Sequence, residues 1–332
     1  MHKETIDLIL DEVRSALDSE QFETAIKALL RLRPADRADA FADLNDEIQQ
    51  ALLPRLDIET TADLLEELED MEAADAAGIL STERLADVLD EMEPDEAADV
   101  LGDLKPELAA EALSEMEDAE EVIPLLKHPD ETAGGLMTTS FIALNPDNTA
   151  HQAVEMLREI KPDTEIPYYL YVTDSINRLV GIVGLRELVV ASPSSSIIDI
   201  MDPEVVFATT TMDQEDVALI MARYDLAALP VLDELYQLQG VITHDDLYDV
   251  MEEEATEDIY RLANVADGDL TIHSPIGLEV RRRLPWLYLN TLTALFAAWV
   301  ISHYETLIAQ IAILAVFQSV VAGMGGNAAT QS

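Results

Sequence analysis

Cysteine is absent from the 332 residues, which excludes disulfides, thiol catalysis and thiolate metal sites. Positive charge is nearly as scarce: 19 Lys and Arg stand against 67 Asp and Glu, a formal net charge of −48. Phosphate backbones are bound by basic stripes, so nucleic acid is excluded as a partner. Six histidines are scattered without metal-ligand spacing, and no Gly-rich phosphate loop or nucleophile arrangement occurs, which argues against an enzyme. The N-terminal MHKETIDLIL carries acid where a secretory signal carries its apolar core, which points to a cytosolic start. What the chain does have is 49% hydrophobic residues, enough to argue against disorder, and a length that suits two or three domains. Two readings of its acidity stand open: cation binding, or a salt-adapted surface kept soluble by charge.

From Ala38 to Met116 the sequence repeats every twelve residues. Ala62-Asp63-Leu64-Leu65, Ala74-Asp75-Ala76-Ala77, Ala86-Asp87-Val88-Leu89, Ala98-Asp99-Val100-Leu101 and Ala110-Glu111-Ala112-Leu113 are copies of one unit. An apolar residue closes each unit, at Leu68, Leu80, Met92, Leu104 and Met116, and Leu44 and Leu56 extend that column backwards. Apolar offsets of 0, 3 and 6 mark one helix face. Twelve residues hold about two turns, at roughly 3.6 residues each, plus a connection. Pro94 and Pro106 stand at unit boundaries, where a helix start tolerates proline. Residues 1–130 therefore read as an all-α superhelical array of short helices, stacked because none can bury its apolar stripe alone. The repeated acid sits beside the core column and is expected to point outward.

Composition changes at Gly134-Gly135-Leu136-Met137. Tyr168–Val172 and Leu179–Val183 read as strands about a turn at Asp174–Asn177, and Leu229–Leu232 and Leu238–Ile242 repeat the arrangement. LVGIVGLREL at Leu179 and LQGVITHDDL at Leu238 lie 59 residues apart, and Leu136-Met137-Thr138 is echoed by Ile200-Met201-Asp202. This order resembles a tandem pair of CBS domains, at 131–199 and 200–250, an α/β pair that often senses adenine nucleotides. The resemblance implies a Thr243 hydroxyl for phosphate and an Asp246 carboxylate for ribose, with Tyr169 stacking on a base and Arg186 neutralising phosphate. The first copy has Gly184 and Glu187 at the equivalent places, a departure from the signature. Nucleotide binding and a purely architectural module both remain open.

An acidic helix is expected over 244–264: Asp246, Asp249, Glu253 and Glu257, three, four and four apart, share one face. Residues 285–304 are long enough to span a bilayer, which takes roughly 20 apolar residues, and 307–326 follow as the second limb of a hairpin. Trp286 and Tyr288 suit an interface, and Arg281-Arg282-Arg283 before the span place the N-terminal domains on the cytoplasmic side. Gly325, Gly326 and Asn327 near the end of the second span would line a water-filled path with carbonyl and amide oxygens, or serve close helix packing.

The order of acidic array, CBS pair, acidic connecting helix and PWL…N…GMGGN resembles the MgtE family of magnesium channels and transporters across the whole chain. The resemblance implies a homodimer in a bacterial plasma (inner) membrane, with cytosolic domains that bind Mg²⁺ and close the pore when the ion is abundant; ATP stands only as the open nucleotide ligand of the CBS pair. It implies five transmembrane helices, of which only the first two, within 284–332, fall before Ser332. The implied metal set is Asp63, Asp95 and Asp99 on the array; Ala222 (through its carbonyl), Asp225, Asp246 and Asp249 on the CBS side; and Glu254, Glu257 and Asp258 on the connecting helix. Mg²⁺ prefers oxygen, keeps its waters and takes only one or two carboxylates directly, so paired acidic surfaces bridged through water suit it. The runner-up is a membrane-anchored nucleotide sensor that regulates a partner and conducts nothing itself.

Overall fold

A computed structural model describes residues 3–19, 21–160, 169–262 and 276–304, with isolated positions at 317, 320, 321, 324 and 325. It divides into two units, residues 1–247 and 248–332.

The first unit opens with α1 (Lys3–Asp18) and α2 (Phe22–Leu29), which pack together. Then come α3 (Pro34–Ala42), α4 (Asp46–Leu52), α5 (Ile58–Glu66), α6 (Asp70–Ala77), α7 (Thr82–Leu89), α8 (Pro94–Asp103) and α9 (Pro106–Glu115), each starting twelve residues after the last. The repeat in the sequence is thus the repeat of the helices. Proline fills the first position of α3, α8 and α9, where its missing N–H costs nothing. The apolar columns are buried: Ala62, Leu65 and Leu68; Ala74, Ala77 and Leu80; Ala86, Leu89 and Met92; Ala98, Leu101 and Leu104.

Helices two apart in sequence pack against each other, α3 on α5, α5 on α7, α6 on α8 and α7 on α9. Acidic side chains tie successive turns of this superhelix. Glu66 accepts the N–H of Glu93, at the entry to α8, at 2.9 Å. Asp90 accepts those of Glu117 and Asp118 at 2.8 and 3.1 Å, just before the short α10 (Ala119–Val122). Carboxylates are favoured at such helix entries, where N–H groups lack intrahelical acceptors.

Two small sheets follow, with identical topology. β1 (Ala143–Leu144) runs parallel to β2 (Tyr169–Thr173), which is antiparallel to β3 (Leu179–Gly184). β4 (Ala208–Thr209), β5 (Ala228–Leu232) and β6 (Leu238–Thr243) repeat the pattern. Helices α11 (Ala150–Ile160), α12 (Leu185–Val190), α13 (Ile197–Ile200) and α14 (Gln214–Tyr224) complete the modules. The copies agree in detail: both turns end on a residue with positive φ, Asn177 and Tyr236, and both carry an Asp whose Oδ1 accepts two backbone N–H groups, Asp174 and Asp233.

The modules interlock reciprocally. Thr138, at the opening of the first, pairs with Val241 on β6 through bonds of 2.9 and 3.0 Å. Asp202, at the opening of the second, pairs with Ile182 on β3 at 2.8 and 2.9 Å. Gly181 and Gly240 permit these approaches: a Cβ on Gly240 would stand 2.6 Å from the Thr138 carbonyl oxygen, and one on Gly181 2.7 Å from the Met201 sulfur. Only glycine lets another backbone come this close.

The array is continuous with the second module. One apolar core joins the α3–α9 columns to Ala133, Met137, Ala208, Val217, Met221, Leu229, Val231 and Ile242, whereas the first module has a core of its own around Leu144, Leu170, Val172 and Val183. The connecting segment is tied to the second module by Ala133 N–H to Met212 O, 2.7 Å, and Gly134 N–H to Thr210 O, 3.0 Å.

In the second unit, α15 (Asp246–Leu262), which begins at the end of the first, continues from β6, and α16 runs from Ile276 to Ser302. Within α16, Leu284–Ser302 is long and apolar enough to cross a membrane, with mean hydropathy 1.5 and none of it buried. The helix begins well before the apolar run, so Pro285 and positions 281–283 lie inside it. Most of the expected second span lies outside the described residues, including Gly326 and Asn327; Gly325 is helical and exposed.

Candidate functional site

The seam between the array and the second CBS module carries the chain's strongest electrostatic anomaly. Helix α8 presents Asp95, Glu96 and Asp99, all half-buried. The Oδ1 of Asp95 is enclosed and has no hydrogen-bond partner, while the Thr138 hydroxyl donates to its carboxylate. Burial pushes the Asp95 carboxyl up to about 7, and repulsion from Asp246 adds to it. Asp99 is pushed up to about 8, by burial first and then by Asp70, Asp95, Asp130 and Asp103. Glu96 rises to about 10, by burial and then by Asp95, Asp99, Glu66 and Asp246. Desolvation and like charges both disfavour ionised carboxylates, and at Asp95 they outweigh the hydrogen bonds that favour the charged form.

Asp246 is held in place by Thr243. The N–H and hydroxyl of Thr243 both donate to Asp246 Oδ2 at 2.8 Å, and the hydroxyl also reaches Asp245. These bonds fix a carboxylate at the first residue of α15, near Asp95 of α8. In the first module the Glu187 carboxylate occupies the space beside Gly184 that a side chain would need.

The expected metal residues divide. Asp95, Asp99 and Asp246 act on one cluster. Ala222 and Asp225 lie exposed at the end of α14; Asp225 takes the left-handed conformation, φ 53°, and the last carbonyls of the helix lack intrahelical donors. Asp63 is paired with Arg37 on α3 at 3.5 Å, where the guanidinium is almost fully buried. The side chains of Asp249, Glu257 and Asp258 lie outside the described residues; Glu254 is half-buried on α15. Among the described residues, no three carboxylates or histidines are grouped closely enough to hold a metal ion directly.

Reading the sequence alone misses Glu96, Thr138, Glu66, Asp70, Asp103 and Asp130, all of which act on this cluster. One signal was present: Asp95, Asp99 and Asp103 form a like-charge ladder four apart on one helix, which is unfavourable without a counter-charge. Of the expected nucleotide residues, Tyr169 is half-buried opposite Gly184 in the first sheet and Arg186 is exposed on α12. Thr243 stands at the equivalent end of the second sheet.

The fold is that of a helical array sharing its core with the second module of a tandem CBS pair, with half-buried acid along the seam. Residues 32–131 match the MgtE intracellular N domain, and 133–194 and 197–253 each match the CBS domain. The magnesium transporter MgtE of Thermus thermophilus is 40% identical over 214 residues, covering 64% of this chain and 47% of that protein. That of Bacillus subtilis is 35% identical over 215 residues, covering 65% and 48%. The crystal structure of the cytosolic domain of the Mg²⁺ channel MgtE in complex with ATP superposes with a TM-score of 0.68 at 33% identity, covering 73% of this chain and 99% of that one. The soluble part of a magnesium transporter gives 0.66, also at 33% identity, covering 75% and 99%. The chain belongs to the MgtE family. It spans about half the length of the curated relatives it matches.

Proposed function

We propose that this chain is the sensing part, with the first membrane helix, of a protein that moves Mg²⁺ across a membrane. The observation that carries the reading is the cluster on α8, where burial first and neighbouring acids second hold Asp95 and Asp99 near 7 and 8, with Asp246 among those acids. A hydrated divalent cation there would restore full ionisation and bind array to CBS pair. At low Mg²⁺ the acidic surfaces repel and part; at high Mg²⁺ the ions draw together Asp95, Asp99, Ala222, Asp225, Asp246 and Asp249, with Glu254, Glu257 and Asp258 on the connecting helix, and the pore closes. Asp63 joins only by giving up Arg37. The ion shifts this equilibrium through its differential affinity for the two states. The domains at 1–130, 131–199, 200–250, 244–264 and 284–332 would serve as array, two CBS modules, connecting helix and membrane segment, the first four on the cytoplasmic side of a bacterial inner membrane.

A homodimer fits the exposed apolar residues on equivalent helices of the two modules, Met156 and Ile160 on α11, Leu219 and Tyr224 on α14. Beside the latter pair lies an open groove of about 340 Å³ lined also by Asp216 and Arg223.

Protease accessibility with and without millimolar Mg²⁺ tests the proposal: cleavage between array and CBS pair is expected to fall with the ion, and unchanged cleavage would sink it. A second reading, adenine-nucleotide sensing without conduction, is favoured by the Thr243–Asp246 pair and by the relative solved with ATP. It predicts ATP or AMP binding that is independent of Mg²⁺.

A further inference from the structure

Helix α15 has a second face. Tyr248, Met251, Ala255 and Ile259 recur at intervals of three, four and four, which places them in one stripe. They are exposed, the three large ones at 67%, 53% and 66%. The helix register puts this stripe opposite positions 246, 249, 253 and 257, so the acidic line and the apolar line run along opposite sides. The stripe is a single narrow row, the geometry of a helix–helix seam rather than of a broad core-facing surface. A lipid surface is a poor occupant. Interfacial helices carry Lys and Arg, whereas positions 246–262 hold seven Asp and Glu and a single Arg, which anionic headgroups repel.

The complementary surface is at the start of α16. Val280 and Leu284 are exposed one turn apart on that helix, at 50% and 40%, and the arginines at 281–283 lie between them in sequence, the longest basic run of the chain. Within one copy both surfaces are exposed, although α15 from Tyr248 onward and α16 belong to the same compact unit. Two α15 stripes facing each other would bring the flanking positions Glu252 and Asp258 against their own kind. The segment at 281–283 has charge opposite in sign to positions 252 and 258.

We propose that the apolar stripe of α15 docks on the first turns of α16 in a second copy of the chain, around Val280 and Leu284. The contact rests on the homodimer reading above. It couples the copies at the membrane: a cation drawing the acidic side of α15 toward the sensor would move the stripe on its opposite side, and with it the partner's first membrane helix.

The cysteine-free chain permits a direct test. Two differently tagged versions are co-expressed in membranes, one carrying Ile259→Cys and the other Val280→Cys, and mildly oxidised. A disulfide joining the two tags is expected, forming about tenfold faster than between two Ile259→Cys copies, because docking raises the local thiol concentration. Replacing Arg281, Arg282 and Arg283 by Gln is expected to slow it several-fold, as is high salt. A dominant 259–259 product, or no bond between the two tags, would overturn the inference. Light scattering on the same samples separates the two readings: a dimer without the 259–280 bond overturns this contact alone, and a monomer overturns the dimer with it.

Discussion

Asp95 and Asp246 repel one another across the seam between the helical array and the second CBS module, and the repulsion helps hold the Asp95 carboxyl near 7. One residue lies in the first turn of α8 of the acidic array and the other begins the helix that leads to the membrane segment. Any change in charge between them is therefore felt by both domains.

Without divalent ions, stability depends on pH in a definite direction. The folded chain holds the protons of Asp95 and Asp99 up to about 7 and about 8, whereas the ordinary carboxyl gives its proton up near 3.8. Their contribution is fully present below pH 3.8 and is lost as pH rises through 7 to 8, because the folded state binds more protons than the unfolded one. The melting temperature in chelator is expected to fall across pH 6 to 8.5, roughly the titration range of these groups, and saturating Mg²⁺ to flatten the fall. Scanning calorimetry across that range checks both.

Asp95→Asn removes a charge whose Oδ1 has no partner. In chelator, at pH above the range where Asp95 ionises, the variant is expected to gain about 1–3 kcal/mol, because a neutral amide replaces a carboxylate whose charged form burial and Asp246 disfavour. The gain would raise the melting temperature by roughly 2–4 °C per kcal/mol in a domain of this size. The rise caused by Mg²⁺ is expected to shrink in the same variant. Asp63→Asn is expected to do the opposite in chelator, since it strips Arg37 of its carboxylate and leaves a guanidinium almost fully buried.

Gly240→Ala places a Cβ 2.6 Å from the Thr138 carbonyl oxygen, against backbone that cannot move aside cheaply. A loss of about 1–3 kcal/mol is expected from overpacking. Since Thr138 also donates to Asp95, the variant is expected to weaken Mg²⁺ binding as well. Gly102→Ala, where the added carbon meets nothing within 4 Å, is the matched control and is expected to be neutral or slightly stabilising. Chemical denaturation of the two variants distinguishes them.

Tyr171 is buried between the two sheets and its hydroxyl has no hydrogen-bond partner. Tyr171→Phe keeps the ring against Phe141 and removes the orphaned oxygen. Stability is expected to rise by about 1 kcal/mol, measured by urea denaturation.

Much of this architecture was legible in the sequence because it is local or periodic. The twelve-residue columns gave the starts of the array helices, and the 59-residue offset gave two sheets of identical register. Outward exposure of the repeated acid holds for Asp75, Asp87 and Glu111 but not for Asp63 and Asp99, which are half-buried, Asp99 among Asp70, Asp95 and Asp130. The sharing of one core between the array and the second module, rather than the first, brings Leu101 and Leu104 into one cluster with Val231 and Ile242, which no periodicity announces. Asp95, Asp99 and Asp246 could be named from family resemblance. Glu96 could not, because its environment is assembled from α5, α8 and α15 together. The pairing of Asp63 with Arg37 was hidden for the same reason: 26 residues and a turn of the superhelix separate them.

The central claim is that the carboxylates of α8 and Asp246 form a seat for a divalent cation between array and CBS pair. Calorimetric titration of Mg²⁺ into the purified protein, beside the Asp95→Asn/Asp99→Asn/Asp246→Asn variant, tests it most directly. The account predicts saturable binding with proton release near pH 7 in the parent, with both signals strongly reduced in the variant. Equal Mg²⁺ binding and equal proton release by the two proteins would contradict it.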